Sequence, residues 1–581
     1  MDEGRTLAEV LEQFEAEQVF DEHLVMKRVQ HVAEPQEDAR HEHLAFSFSE
    51  SGKSPWGTHF GPMFQGTNAD GNPTMFPDIV QVTTDVLDYW QRRAGESRHP
   101  VMRARYSGLV WEFARVVGGR SRDPEMARLR VDAVIAVADG NRHKYATNTW
   151  TMLEHAFSLA GLMKDGLRVK MAIKAILDFE MRVGDDDKPG LWGPAFDLLY
   201  GKKKLGVTSE QERELIQRLE QRLARLAATG EDEKAWSAEA AAEKLARHYR
   251  RNGLQEDVER VLLAAGGMRE RAATRAKAMV AQSWLQRLYE LYAAFGLRDH
   301  AARLLKRIAE LGPGTRDEMK EVRHSFEISE EQIQQIVGET LEGSFQEVHL
   351  RLVVRYIPRL GDVKEQLARL SSSAPISFLI PRQLMDEDGR PVATIDTLDA
   401  DPDGHLVLFM VHNIGFSAIF VRRVMDAMVT NGILSESVMQ DLVDRSPLFV
   451  ARNEPLVMEG VRAYLKGDAI GSIHLLVPQI EAAVRQLAGL VGAPILKPNR
   501  SGGMDHRLFD EHLRDPLVTT TLTEDVATYL RVLFTDRRGI NLRNSVCHGF
   551  IPAASFTMGL ADRVMHTVLL LLLVDEDRGE E

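Results

Sequence analysis

Two distant stretches of the chain carry the same pattern. ARHYRRNGLQEDVERVLLAAG (246 to 266) and ELYAAFGLRDHAARLLKRIAELG (290 to 312) each place an aromatic residue, then Gly-Leu four residues later, then an amphipathic helix. The offset from Tyr249 to Tyr292 is about 43 residues, which falls in the range of helical-hairpin repeats. A single hairpin leaves one face unburied, so neighbours must stack. The pattern therefore confines this region to a short α-solenoid-like array. WTMLEHAFSLAGLMKDGLRVKMAIKAILDFE, from 150, reads as another hairpin of the same kind. Such arrays serve mostly as scaffolds or partner-binding surfaces, so a regulatory protein partner is expected on this one.

At 581 residues the chain exceeds one core, and four segments are expected. Residues 1–75 read as a helical and irregular segment: acidic, amphipathic and exposed up to about 45, then rich in Gly, Pro and aromatic breakers. Residues 76–330 form the α-helical hairpin array. Its first helix carries Val86, Leu87 and Trp90 on one face and is capped by Thr83 or Thr84, whose hydroxyl can accept an orphan backbone N–H. Residues 331–415 are a mixed segment with a small β insert. PISFLIPRQLMDEDGRPVATI alternates around Asp-Gly, and HLVLFMVH is a short apolar run. Residues 416–581 return to helical pattern. The fold class is mainly α, a hairpin array with a small β insert and a C-terminal four-helix bundle.

An apolar fraction of 44% and a charged fraction of 27% are those of an ordinary globular protein. The net charge of -14 argues against a whole-protein nucleic-acid clamp and leaves room for a local basic site. With Cys547 as the single cysteine, neither an internal disulfide nor a thiolate metal cage can form. The acidic start is wrong for a secretory or transit peptide. The most apolar run, Thr567 to Val574, covers about a third of the roughly 20 residues a membrane helix needs. A cytoplasmic location without membrane association is expected.

Several familiar signals fail on inspection. Gly52-Lys53-Ser54 resembles the tail of a phosphate-binding loop, but Ser47 stands where the motif's first glycine belongs and Pro55 follows. Asp399, Asp401, Asp403 and Gly404 are spaced like the start of a calcium loop, but Met410 occupies the position of its bidentate glutamate, so a solvated turn is expected. His41-Glu42-His43 and Asp185-Asp186-Asp187 lack helical metal-ligand spacing and read as exposed charge. No metal site and no cofactor are expected.

The chemistry lies in the last part of the chain. Helices are expected over roughly 455–466, 468–491, 523–548 with a break near Gly539, and 553–574, a count that suits an antiparallel bundle. In the second of these, Ile473, Val477, Ile480, Val484 and Leu487 form a buried stripe. His474, Glu481 and Arg485 run one residue behind it, and Pro478 should kink the helix. Glu481 and Arg485 can pair across one turn as a surface couple. In NLRNSVCHG, Arg543, Asn544 and His548 crowd a window that otherwise reads as helix, with Arg538 and other arginines just before it. Cys547 beside the histidine reads as a buried core thiol.

This R-N-x-x-x-H arrangement on a late bundle helix resembles the signature of the HEPN superfamily, many of whose members are metal-independent endoribonucleases. More narrowly, VPQIEAAVR, NLRNSVCHG and the final apolar helix resemble a domain family of unknown function. That family is shared by large bacterial proteins and the endoplasmic-reticulum-membrane-associated RNA degradation protein. FGPM and HPVMRARYSGLVWEF also look like what precedes this domain in the bacterial members. The resemblance implies Arg543, His548 and Asn544 as catalytic residues, with Glu481 and Arg485 lining the same cleft; His474, on the stripe of Glu481, and Arg538, beside the site in sequence, are further supporting or substrate-binding candidates. It also implies single-stranded RNA or tRNA as substrate, a homodimer through the bundle, and a role as a bacterial toxin or anti-phage effector.

The residues suit that chemistry. RNA supplies its own 2′-hydroxyl nucleophile, so the enzyme needs a proton carrier and a cation for phosphorane charge. His548 can carry protons near neutrality, and Arg543 offers a planar fork of donors to phosphate oxygens. The alternative is a non-catalytic scaffold or dimerisation protein in which both residues are structural.

Overall fold

The computed structural model describes residues 5–32, 37–50, 54–67, 73–117, 119–322 and 327–575. Gly52 and Lys53 of the phosphate-loop lookalike, and the acidic end after Asp575, lie outside these residues. The fold is mainly α, and its strands pair only as short two-stranded antiparallel hairpins among the described residues.

The repeated sequence pattern is a helix-stop device. The helix Ala235–Arg251 ends at Gly253, with φ at +73°, where Leu254 N–H donates to the Tyr249 carbonyl at 2.9 Å and Gly253 N–H to Arg250 O at 3.2 Å. After Ala278–Ala294 the same pair of bonds recurs, from Leu297 to Tyr292 at 2.9 Å and from Gly296 to Ala293 at 3.1 Å. This pair of hydrogen bonds closes orphan carbonyls at a helix end and needs a residue in the left-handed conformation, which glycine adopts without a Cβ penalty. The aromatic residue supplies the carbonyl and Gly the turn; Leu297 then enters the core, whereas Leu254 stays exposed. The pair Ala146–Leu162 and Gly166–Val183 turns the same way with Lys164 at φ +55°.

The chain divides into two compact units, Met1–Leu311 and Gly312–Glu581. This differs from the four expected segments for reasons visible in the packing. The described part of residues 1–75 is no exposed appendage: Val10, Phe14, Phe20, Phe46 and Phe60 enter one core with Trp90, Tyr106 and Phe113. Leu7, Val10 and Phe14, spaced i, i+3, i+7, turn the first helix inward. Thr83 does cap the helix Thr84–Glu96, accepting Val86 N–H at 3.4 Å. The later hairpins hold a second core around Leu223, Leu245, Leu262 and Leu288.

Of two clusters expected to be exposed, the first is largely buried, while the second stays exposed at Asp185 and Asp187 and is held in ion pairs. Glu42 is fully buried, where its carboxylate accepts from Tyr89 Oη at 2.7 Å, from Arg93 Nε at 2.9 Å and from the Tyr106 hydroxyl. Burial raises its pKa above the usual carboxylate range, although these donors pull the other way. In the aspartate run, Asp186 pairs with Arg222 and, at 3.0 Å, with Arg225, while Asp187 pairs with Lys234 at 3.3 Å.

In the second unit, the expected hairpin forms between Arg382–Met385 and Pro391–Ile395 around Asp388-Gly389. HLVLFMVH does not join it. The run lies in the helix Pro402–Thr430, which passes straight through the expected boundary at 415/416. Its buried residues Val407, Met410, Ile414, Val421, Val424 and Met428 follow helical spacing and line the core. This helix is also long and apolar enough to cross a membrane by composition, more so than the Thr567 run, although in this fold that stripe packs against protein.

The expected bundle helices are Glu454–Leu465, Ala469–Leu490, Glu524–Phe534, the short Leu542–Cys547, and Met558–Leu571. The break near Gly539 is wide, because Ile540 N–H folds back onto Val532 O at 2.9 Å. The arrangement is a cage and not a plain four-helix bundle. Every residue from Ala561 to Leu571 is buried, and the helices Phe345–Arg355, Pro402–Thr430, Glu454–Leu465 and Ala469–Leu490 pack around this segment. Asp562, Arg563 and His566 each reach another element. Asp562 accepts from Arg422 at 3.0 Å and Tyr464 at 2.6 Å, Arg563 donates to Ile414 O at 2.6 Å, and His566 meets Leu352 O at 3.3 Å. Such bonds fix which face of an otherwise uniform apolar helix meets which neighbour.

Candidate active site

The helix Leu542–Cys547 buries Leu542 and Val546, one turn apart, and this anchors it to the core. The remaining residues then face outward: Arg543 and Asn544 are half-buried, Cys547 and His548 exposed. Cys547 is therefore not the core thiol expected, because it sits about 100° around the helix from Val546. The helix begins irregularly, with Asn541 at φ +53° and its side-chain oxygen accepting from Asn544 Nδ2 at 2.7 Å. Asn544 thus braces the start of the helix. His548 is the terminal residue, its N–H bonded to Asn544 O at 3.1 Å, and its ring lies against Phe550 with centroids 5.6 Å apart.

Arg543 and Glu481 meet across two helices. Arg543 Nε donates to Glu481 Oε2 at 2.7 Å and Nη2 to Oε1 at 3.3 Å, while Nη1 reaches Asn544 Oδ1 at 3.1 Å. Arg485 Nη2 binds Glu481 Oε1 at 3.3 Å. Two guanidinium groups therefore share one nearly buried carboxylate, leaving the group of three with one net positive charge. Burial opposes the charge of Arg543, but the bond and charge of Glu481 outweigh it and the pKa stands above its ordinary value. The side chains of Arg543 and Arg485 remain 26% exposed.

Two expected site residues lie elsewhere. His474 is exposed on the same helix as Glu481, but its Nδ1 meets Ile470 O at 2.9 Å and its ring stacks on Phe556 at 4.8 Å. Arg538 belongs to an ion-pair cluster with Asp536 at 3.0 Å, Asp401 at 3.2 Å and Asp403, and Arg531 also reaches Asp403 at 2.9 Å. The aspartates expected as a solvated turn are thus a cap and a clamp. Asp401 accepts Gly404 N–H at 2.9 Å at the start of the helix Pro402–Thr430. The chain positions involved are too far apart for sequence spacing to reveal.

Sequence reasoning also missed His512, on the helix Phe509–Leu513, which packs against Ala469–Leu490. It is fully buried, and burial together with Arg507 and Arg485 holds its pKa below the ordinary imidazole value. No motif marks it.

In the first unit, Glu50, His59 and His155 bring ligand-type atoms within 4.8 Å of one another. His59 and His155 stack face to face, with centroids 3.7 Å apart and an interplanar angle of 7°. A ligated ion lies near the plane of each imidazole, so two parallel rings cannot share one without a rotation. Arg130 already pairs with Glu50, whose pKa lies well below the usual range despite burial. His155 Nε2 meets Glu112 Oε1 at 3.2 Å, and Glu112 also accepts His59 N–H at 2.9 Å. As placed, this is a network sharing protons among carboxylates and imidazoles.

Burial depresses the pKa of His155 to about 4. The unfolded chain takes up that proton near pH 6.5, so the stability His155 contributes is complete above 6.5 and falls as pH drops toward 4. Urea melts at pH 7 and pH 5 should show His155→Gln losing about 2 kcal/mol less than the parent over that interval.

No protein-family model, curated protein or solved structure matches this chain significantly.

Proposed function

We propose that the second unit is a metal-independent endoribonuclease of HEPN type that cleaves single-stranded RNA or tRNA at Arg543 and His548. The observation that carries this reading is their joint placement on one short helix and its C-terminal cap, the imidazole exposed and the arginine side chain about a quarter exposed on a shared carboxylate. In the reaction, a base takes the 2′-hydroxyl proton, the 2′-oxygen attacks phosphorus, and the 5′-oxygen leaves with a proton, giving a 2′,3′-cyclic phosphate. Arg543 is suited to neutralise charge on the non-bridging oxygens and His548 to move a proton. One imidazole cannot serve both sides of the phosphate at once, so a homodimer is proposed in which a facing copy supplies the second. The reading extends to a toxin or anti-phage effector in the cytoplasm, with the hairpin array binding a regulatory protein.

One observation favours a non-catalytic scaffold instead: Nε and Nη2 of Arg543 are already engaged by Glu481. Substrate chemistry separates the two. End-labelled single-stranded RNA, incubated with the protein in EDTA, should be cut to products bearing 2′,3′-cyclic phosphate. The same oligonucleotide with a single 2′-deoxy residue 5′ to the cleaved bond should resist there. Uncut RNA across a range of sequences and tRNAs would leave the scaffold standing.

A further inference from the structure

Phe550 is placed by the backbone at a point where helix termination gives its ring no task. The helix Leu542–Cys547 stops by the same pair of hydrogen bonds as the hairpins: Gly549, at φ +69°, donates to Val546 O at 3.2 Å, and Phe550 N–H donates to Ser545 O at 2.8 Å. In such a stop, the residue after the glycine commonly packs on the side chain whose carbonyl it binds. Leu297 and Tyr292 hold those positions in the later hairpin, and both are buried. Here the carbonyl belongs to Ser545, which offers no apolar partner, and Phe550 is 66% exposed.

What the ring does touch is His548, at 5.6 Å between centroids and 29° between planes. With the imidazole against one face, the exposure leaves the rest of the ring to solvent. The same loop stacks a second phenylalanine, Phe556, on His474 at 4.8 Å and 21°. From Gly549 to Leu560 the sequence GFIPAASFTMGL contains no charged side chain, in a protein of net charge -14. The carboxylate seen at this loop is Glu387, bonded to Ser555 at 3.3 Å and five residues along from Phe550.

We propose that Phe550 is a nucleobase platform, holding by π-stacking the base of a nucleotide that flanks the scissile phosphate of single-stranded RNA. The proposal rests on the reading of Arg543 and His548 as ribonuclease groups. An aromatic ring beside the proton-carrying imidazole accepts any base, because every base has a π face, and favours purines through their larger area. It refuses paired bases, whose faces are taken up within the helix, so single strands and loops are selected over duplex.

The test uses the full-length protein and a 2′-O-methyl oligonucleotide, which cannot supply the nucleophile, with 2-aminopurine moved one position at a time. The parent and Phe550→Trp should quench the fluorophore at one position. Phe550→Ala and Phe550→Leu should lose the quench and bind about 10-fold more weakly, the scale of one aromatic–base stack. Leucine keeps the apolar contact and removes only the π face, so it separates stacking from folding. Parent-like binding and quenching by Phe550→Leu overturns the platform while leaving cleavage by the parent intact. Failure of the parent to cleave ordinary RNA overturns the ribonuclease reading, and the platform with it.

Discussion

His548→Ala is expected to lower RNA cleavage by about 10²- to 10⁴-fold, the usual worth of a positioned general acid or base. The variant should remain folded, because the imidazole is exposed and its described contact is an outward phenylalanine. Exposed substitutions of this kind shift stability by about 0.5 kcal/mol or less. A second readout distinguishes proton transfer from general damage: free imidazole added to His548→Ala should restore part of the rate. Arg543 demands a different design. Removing it leaves Glu481 nearly buried with Arg485 as its remaining cation, so an alanine there mixes catalysis with folding. Arg543→Lys keeps the charge and loses the two-pronged geometry. Its loss should therefore fall on cleavage rate more than on thermal stability. Parent-level cleavage by His548→Ala would remove this helix from the chemistry and return Arg543 and His548 to structural roles.

How far these features can be read without coordinates depends on the range over which each is encoded. The hairpin array is legible because each turn is written locally, an aromatic followed four residues later by Gly-Leu, and those residues make the bonds that end the helix. The helix Pro402–Thr430 misleads because HLVLFMVH is apolar on nearly every side, and a short apolar run has no period from which to tell strand from helix. The N-terminal helices mislead differently. Their acids suggest solvent and mask the helical spacing of Leu7, Val10 and Phe14, while the partner rings Trp90, Tyr106 and Phe113 that receive Phe14 and Phe46 lie far along the chain. At the candidate site, the grouping of Arg543, Asn544 and His548 is local and legible. The contact between Arg543 and Glu481 follows from the stripe on the helix Ala469–Leu490, since a packed bundle brings that stripe to its neighbour. Arg538 is not legible, because its aspartate partners lie at 401 and 403. Nor is Phe550, whose meaning depends on a buried Tyr–Leu pair in one helix stop and a serine at the matching place in another.

Glu42→Ala is expected to destabilise the first unit by about 3–5 kcal/mol, the cost of removing one partner from a buried charged network. The argument rests on what the carboxylate leaves behind. The Tyr89 and Tyr106 hydroxyls both donate to Glu42, and Tyr106 is fully buried. Arg93 keeps longer contacts of 3.8 Å to Glu15 and to Glu96, but loses its 2.9 Å bond to the deepest acceptor. Glu42→Gln retains an acceptor of the same shape, so its loss should be smaller and should isolate the charge from the hydrogen bonds. Because burial raises the Glu42 pKa, its carboxyl binds a proton more readily folded than unfolded. Stability from this group is therefore greatest below its unfolded pKa and declines as pH rises through its folded one. The gap between Glu42→Gln and the parent should accordingly narrow on raising the pH from 5 to 8 in chemical denaturation, whereas Glu42→Ala stays destabilised throughout. A gap that widens instead would mean that Arg93 holds the carboxylate ionised in the folded protein. The network would then be an ion pair reinforced by tyrosines, and the glutamine substitution the costlier one at neutral pH.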